Sequence, residues 1–540
     1  MSQKRVPLIV SLLLVMLLLW PACRRGGASW DTDISSPIFK TTFGIDNLVA
    51  DSLLSKAADS SLTLVYKSSL TNFALDSLIH IPDTTVSDVY ALPFGSHIFN
   101  CGDLITGNPS VNQTTYPLHG VGLKTSSLRS GKMTITITNK VRKRIQLSYQ
   151  IPSASLAGVP FGITIWVDGR SGSTPGKFIA EYDLSGYTID LTGSAKNSIN
   201  TVITTITARI DPSLPTSDTV NVVNTDDLEV SSSFLKMVPE YAKGYFGQTV
   251  QKAGPSENNF PVFRKISGGS LSLQKVQLDF HIDNGIGVDA RILIPDLYSK
   301  NSRTGQVVHL TAPIINSPIN INRAIETFSN PPVTSSSYSV TLNNANSNTK
   351  ALIENIPDKI GYAMTISPDP LGNVSGYNDF IYYGYGIQAG MDMQLPLSLV
   401  ANNLTIADTV PVNFNSSASN LERLHHCNLT LYADNGFPLS AGIQMYMLDG
   451  SNTLTDSLLI GQHIIDEAPV DANFKAIGMR QTILEIPVGS SKVNHLIRAK
   501  KIIIVARFNT SSQPNFIKIY DDYKMNFQLT GDFNYTIKLH

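Results

Sequence analysis

His425, His426 and Cys427 stand side by side in the segment LHHCN. All three residue types bind transition metals. Neighbours in a strand point to opposite faces, so His425 and Cys427 could share an ion while His426 turns away. A zinc centre needs three or four protein ligands, and no CxxC or HExxH spacing supplies the rest. A plain strand accounts for the trio equally well. Asp31 and Asp33 in WDTD, and Asp521 and Asp522 in YDDY, offer paired carboxylates for calcium or acid–base work. Calcium wants six or more oxygens, and the D-x-D-x-D-G spacing that would arrange them is absent. A glycosidase needs two carboxylates at a fixed separation, which spacing along a chain does not reveal. No G-x-S-x-G, Walker or G-x-G-x-x-G segment is present, so no catalytic residue and no cofactor can be assigned. A third group is aromatic. The segment GYNDFIYYGYGIQAG concentrates rings among glycines, with Tyr382 and Tyr385 as candidates for stacking on sugar rings. Strand alternation, with every second ring turned into a core, explains half of those positions without a ligand.

The remaining reactive residue sets the address. Lys4 and Arg5 precede an almost wholly apolar run from Val6 to Ala22, and Cys23 follows directly. A charged start, an apolar stretch and a small residue before the cut read as a signal peptide over 1–22. The run is short for a membrane span, which takes about 20 residues. An apolar run closing on a small residue and Cys resembles a bacterial lipobox, although Trp20 and Pro21 occupy positions where that pattern has an aliphatic and a small residue. The resemblance implies that Cys23 is acylated and becomes the mature N-terminus. Residues 23–45 are then a lipidated cysteine and tether. An uncleaved anchor helix and plain secretion are the competing readings.

The chain has 540 residues and a formal net charge of −1. That balance argues against a nucleic-acid partner. Charged residues make up only 15%, below the usual ~25%. With Cys23 acylated, Cys101 and Cys427 remain in an oxidising compartment, where they could pair or stay as two buried thiols.

The elements around these residues are strands. In GKMTITITNKVRKRIQLSYQI, Met133, Ile135 and Ile137 alternate with threonines, a turn follows, and Ile145, Leu147, Tyr149 and Ile151 alternate again. SLTLVYK, FGITIWVDG, KIIIVARF and the final KMNFQLTGDFNYTIKL share the pattern. Short helices are expected in SSSFLKMVPEYAKGYFG and NTKALIENIP, and more weakly in NRAIETF and KVNHLIRAK. The expected fold is all-β with few short helices, built as tandem antiparallel β-sandwich domains. The divisions are 46–130 as an N-terminal β-rich region, 131–225 as a sandwich, 226–400 as a β-rich domain with short helices, and 401–540 as a C-terminal sandwich.

One repeat stands out. LDFHIDNGIGVDARILI (278–294) aligns without a gap on LTLYADNGFPLSAGIQM (429–445). Each holds an Asn-Gly pair between two alternating runs, which predicts a tight reversal with positive φ at Gly285 and Gly436, and a kinked or bulged strand after it. A looser third copy is expected near Gly158–Gly169. The unit resembles the LEA-type β-sandwich, in which an Asn between strands is followed by a kink.

WDTD soon after the anchor cysteine, with the later GYFG and DNG segments, resembles uncharacterised outer-membrane lipoproteins of the Bacteroidota. Asp-Ser/Thr-aliphatic triplets resemble the O-glycosylation acceptor of that group and point to Ser52, Ser77, Thr219, Thr409 and Ser457, expected on surface loops. The expected function is a lipid-anchored cell-envelope protein of the outer membrane that binds or scaffolds without catalysis. Its partners would be the membrane, through the anchor, and a glycan or another envelope protein. A carbohydrate-binding lipoprotein of a polysaccharide-uptake system is the first rival. A glycoside hydrolase with a site built from distant loops is the second.

Overall fold

The computed structural model describes residues 29–45, 49, 51–74, 81–90, 95–106, 110–215, 217–412 and 424–538. Strand accounts for 63% of the chain and helix for 4%, which makes the protein all-β. Alternation is the cause. In the strand Gly122–Asn139, Met133, Ile135 and Ile137 are fully buried while the threonines between them lie half-exposed. Burying such a face against a second sheet is what stabilises a sandwich.

The chain divides into two compact units that are not contiguous in sequence. One comprises Met1–Val65, Pro261–Lys275 and Leu395–His540; the other comprises Tyr66–Phe260 and Val276–Gln394. The expected divisions at 130, 225 and 400 therefore do not describe the units, because distant segments complete each sheet.

The second unit holds two sandwiches. In the first, Thr84–Tyr90 and Gly176–Asp183 flank Leu228–Tyr245 and Gly122–Asn139, opposite Ser110–Thr115, Thr201–Ile210, Ile145–Leu156 and Val159–Val167. The short strand Thr188–Asp190 bonds to both layers and nearly closes them into a barrel. At the open seam the Asn112 amide donates to the Asp88 carboxylate at 2.5 Å. The second sandwich places Gln277–Asn284 in one sheet, between Ser336–Asn343 and Gly386–Pro396, and Ala290–Asn301 in the other, beside Lys359–Pro368. The first unit has one sandwich. Its Leu424–Asn435 lies between Arg480–Val488 and Met525–Lys538, and Ser440–Leu448 belongs to the facing sheet.

The Asn-Gly repeat is a corner and not a hairpin: in each copy the chain leaves one sheet at the asparagine and enters the other. Asn284 and Asn435 are both fully buried. Asn284 Oδ1 accepts from the Ile286 amide at 3.1 Å, and its Nδ2 donates to the carbonyls of Val288 and Asn322, both at 2.8 Å. Asn435 does the same with the Phe437 amide at 2.9 Å and the carbonyls of Leu439 and Asp466 at 2.8 Å. A third copy exists, displaced from the expected one. Asn139, also fully buried, accepts from Val141 N at 2.9 Å and donates to the carbonyls of Lys143 at 3.1 Å and Asp168 at 3.0 Å. The 158–169 segment is instead the return strand of a hairpin that turns at Ala157 and Gly158, both at positive φ.

Gly285 and Gly436 do not have positive φ, contrary to expectation. They are glycine because another backbone comes close. A Cβ on Gly436 would lie 2.9 Å from the Lys524 carbonyl oxygen, and one on Gly285 would lie 3.1 Å from that of Gly386. Gly436→Val should therefore still destabilise its unit, by about 2–4 kcal/mol, through forced backbone displacement. Urea unfolding of the variant checks this; an unchanged midpoint would show that the corner yields.

Of the expected helices, Thr349–Glu354 and Ser490–Arg498 form. The segment 232–246 is strand instead, falling almost wholly within Leu228–Tyr245, and 322–328 contributes only the two-residue strand Ile325–Glu326. Among the described residues no helix is long and apolar enough to cross a membrane.

Candidate functional site

The three corners share a scaffold but differ five residues after the asparagine, where Arg144, Asp289 and Ser440 stand. In the first copy Arg144 pairs with the buried Asp211, which also accepts from the Ser213 amide at 2.8 Å. In the second copy the charges are reversed. Asp289 receives the Arg323 amide on one oxygen at 2.9 Å and the Arg323 guanidinium on the other at 2.7 Å. The corner positions both partners, because Asn284 binds the carbonyl of Asn322, one residue before Arg323. The other arm of the guanidinium reaches Asp379, fully buried, at 2.7 Å.

A third carboxylate has no such partner. Asp369 is 2% exposed, and neither of its carboxylate oxygens makes a hydrogen bond. Its backbone is well held: the amide donates to Asp289 O at 2.8 Å, and its carbonyl accepts from Gln248 Nε2 and Gly372 N, both at 2.8 Å. Its φ of +43° lies in the left-handed region, sparsely populated by residues other than glycine. Burial, and then the neighbouring charge of Asp379, push its carboxyl up to about 7. Burial also raises Asp379, whereas Asp289, although partly desolvated, is held low by its bonds to Arg323. Carboxyls driven apart in this way, in one place, are a mark of functional sites.

Asp289 and Asp369 line a cleft of about 330 Å³ together with Arg291, Asn320, Asn322, Leu371 and Val374. That lies at the lower end of ligand-sized sites. Leu371 and Val374 are 76% and 64% exposed at its rim. The loop that carries them is pinned from the first sandwich. Lys124 Nζ donates to Gly376 O at 3.0 Å and Asn378 Oδ1 at 3.2 Å, and Tyr377 meets Tyr245 edge-to-face at 6.3 Å.

The residues singled out from sequence lie elsewhere. Tyr382 and Tyr385 are half-buried and packed on one another, with Tyr382 also 4.6 Å from the Tyr241 ring and its hydroxyl donating to Glu326 at 3.0 Å. With Phe380, Ala324 and Val333 they form a small satellite core, so they do not make a flat exposed platform. Tyr383 is the exposed ring, and the Arg129 guanidinium sits 4.1 Å above it. Cys101 and Cys427 are not paired, contrary to one of the two readings offered above. The Cys101 thiol donates to the Asp218 carbonyl at 3.1 Å. Cys427 is 1% exposed, and burial pushes its thiol up to about 12. Alkylation of the denatured, unreduced protein is expected to label both. In the native protein Cys101 should react first, and a missing label on either after denaturation would restore the disulfide. The side chains of His425 and His426 lie outside the described residues, as do Cys23 and Ser77. Among the described residues no cluster of three or more His, Cys, Asp or Glu could hold a metal. Of the candidate acceptors, Ser52 is exposed in a single helical turn. Thr219, Thr409 and Ser457 lie in strands and not in loops; the first two are exposed, and Ser457 is half-buried.

Asp289, Arg323, Asp369 and Asp379 were not identifiable from sequence as a group, since four separate segments supply them. The one local signal was Asp289, an acid where the aligned repeat has Ser440.

Fold and cleft define an all-β sandwich protein with a carboxylate-lined cleft built on one of three asparagine corners. No family model and no curated protein matches the chain. Among solved structures it is similar to a secreted-protein candidate from Parabacteroides distasonis ATCC 8503, with 10% identity, 93% of this chain and 99% of that one covered, and a TM-score of 0.28. It is also similar to a triple-jelly-roll protein of an archaeal virus, with 10% identity, coverage of 83% and 95%, and a TM-score of 0.12. Scores this low do not extend to fold or function.

Proposed function

We propose that this is a lipid-anchored binding module of the cell envelope, held in the outer membrane through Cys23, that takes a small ligand in the Asp289–Asp369 cleft without transforming it. The observation that carries the reading is the state of the carboxylates. Asp211 is satisfied by Arg144 and Ser213, while Asp369 lines a ligand-sized cleft with no partner. Buried polar groups left without a partner are rare and call for a reason. Ligand-induced shifts confined to residues 369–374 in a binding screen would support the reading. Failure of a broad screen of glycans, peptides and amino acids to perturb them would end it.

The anchor has its own test. Cys23→Ser should move the protein from the membrane fraction to the soluble fraction. If the variant still pellets after a carbonate wash, the acyl anchor is not what holds it.

Hydrolysis is the second reading, because one raised and one lowered carboxyl border the same cleft. It is weaker on geometry. Both Asp289 oxygens are occupied by Arg323, and both Asp369 oxygens are shut off from water, so neither is placed to meet a water molecule. The polysaccharide-uptake reading loses its aromatic platform, since Tyr382 and Tyr385 pack on one another.

A further inference from the structure

We propose that the ribbon formed by residues 29–37 and 530–538 docks one face on a lipid bilayer, with Trp30 and Ile34 as the side chains that enter the interface. The inference rests on the acyl anchor proposed above and is independent of the cleft.

The strand Ser29–Phe43 is the edge of its sheet and pairs with Met525–Lys538. The two ends of the strand treat one face differently. Phe39 and Phe43 turn into the sandwich and are 6% and 2% exposed. Ile34 stands opposite Phe533, four residues beyond Leu529, the partner of Phe39, and Trp30 stands four residues beyond Ile34. Steps of four along a strand keep to one face, so Trp30 and Ile34 continue the face that Phe39 buries. Yet they are 47% and 46% exposed. The half-buried Phe533 links them to the core. Its ring folds back over Gly531, where a Cβ would lie 2.6 Å from it and 3.1 Å from Leu429. The opposite face of the ribbon is polar, and its acids have partners. Thr536 Oγ1 donates to Asp31 at 2.5 Å, Asn534 Nδ2 donates to Asp33 at 2.8 Å, and the Ser35 hydroxyl donates to Asp532. Asp31 and Asp33, considered above as a calcium pair, thus bridge the two strands. One satisfied polar face and one exposed apolar face make this ribbon the β counterpart of an amphipathic helix that lies in a membrane surface.

The anchor identifies the occupant. Ser29 lies six residues after Cys23. Six residues span at most about 22 Å. An acylated Cys23 sits at the bilayer surface, so the ribbon stays within that reach of it. The bilayer is thereby presented to the apolar face at high effective concentration, whereas a second copy or a soluble partner must arrive by diffusion. Tryptophan suits this place, because its ring is apolar and its indole N–H finds acceptors at headgroup level. With Trp30 and Ile34 turned to the bilayer, Asp31 and Asp33 turn away from it and stay in water. Two side chains bury too little area to hold an unanchored protein on a membrane. Beside an acyl anchor they fix which way this sandwich faces.

The test reads Trp30 by fluorescence in the full mature chain. Of the three tryptophans, Trp20 is lost with the signal peptide and Trp166 is replaced as Trp166→Phe. A histidine tag in place of Cys23 tethers the protein to phosphatidylcholine vesicles that carry a nickel-chelating lipid, so the docking is measured whether or not Cys23 is acylated in the cell. Tethering should shift the Trp30 emission to the blue, and vesicles brominated on their acyl chains should quench it relative to unbrominated ones. Ile34→Asp should lower the ratio of docked to undocked protein by about tenfold or more, because a buried aliphatic side chain is exchanged for a charge that must be desolvated. Thermal unfolding checks that this variant is folded. An unshifted, unquenched Trp30 on the tethered protein, or quenching that Ile34→Asp leaves unchanged, would overturn the inference. So would a blue shift that grows with protein concentration in the absence of vesicles, which would assign the face to a second copy. Quenching on the nickel lipid, together with a Cys23→Ser protein that stays in the membrane fraction after a carbonate wash, would retire the acyl anchor and keep the docking face.

Discussion

Asn284→Ala and Asn435→Ala are each expected to lower stability by about 3–5 kcal/mol. The substitution removes one side chain that serves three backbone groups at once. In Asn284→Ala the amide of Ile286 and the carbonyls of Val288 and Asn322 lose their partner, the first two in a place water does not reach. Each orphaned buried group costs about 1–3 kcal/mol, with some relief from relaxation. The loss should appear in one unit only. Asn284 belongs to the unit that contains Val276–Gln394, and Asn435 to the unit that contains Leu395–His540. Chemical unfolding followed by a probe in each unit is the measurement. Asp283→Ala is the control, since that neighbouring side chain bonds to the exposed Ser337 hydroxyl at 2.6 Å. A loss below about 1 kcal/mol in the asparagine variants, or equal losses in both units, would show that the corners do not hold the sheets together.

Asp369→Asn is expected to stabilise the protein, and increasingly so as pH rises. The folded-state carboxyl titrates at about 7, against an ordinary value of 3.8. A raised acid means that the folded chain keeps a proton that the unfolded chain has already released. Stability from this group is therefore full below about pH 4, falls as pH rises from there to about 7, and stays at its lower level above. Roughly three pK units correspond to an upper limit of about 4 kcal/mol, which relaxation of the loop reduces. Asparagine mimics the protonated acid and has no such dependence. Urea midpoints of wild type and variant should nearly coincide near pH 4.5 and separate by pH 8. A gap that does not change with pH would mean that Asp369 is ionised throughout and has found a partner in solution.

The all-β class was legible because half-buried strands write a period of two into the chain, as in Met133–Ile137 and Leu429–Ala433. The failure at 232–246 has the same root. That strand bulges repeatedly, with register shifts between Leu235 and Val238 and on either side of Pro239, and Lys236 has a φ of +52°. Bulges erase the period of two, and the serines, Pro239 and Gly244 then imitate helix punctuation. The repeat was readable as a repeat, but its corner was read as a turn, because an Asn-Gly pair carries the same letters in both. What the sequence could not show is which asparagine oxygen and nitrogen would reach across two sheets. The acid cluster was hidden for a related reason. Asp289, Arg323, Asp369 and Asp379 come from four segments, and each alone looks like an ordinary loop charge.

The strand Ser29–Phe43 pairs along its length with Met525–Lys538, from Ser29 opposite Lys538 to Phe43 opposite Met525, with one register shift between Pro37 and Phe39. The two partners are about 500 residues apart. At ordinary synthesis rates of about 5–20 residues per second, roughly half a minute to two minutes pass between the making of one strand and of the other. During that interval a 15-residue strand with open backbone groups has no native partner, and its own side chains Phe39 and Phe43, buried in the finished fold, are bare. This sandwich is thus the last part of the protein able to finish, although its first strand is among the first described segments to be made. Contacts so distant in sequence slow folding and lengthen the exposure of sticky edges. A ribosome that stops short of Met525 releases two open sheet edges, on Ser29–Phe43 and on Leu424–Asn435, where the finished protein has a seam.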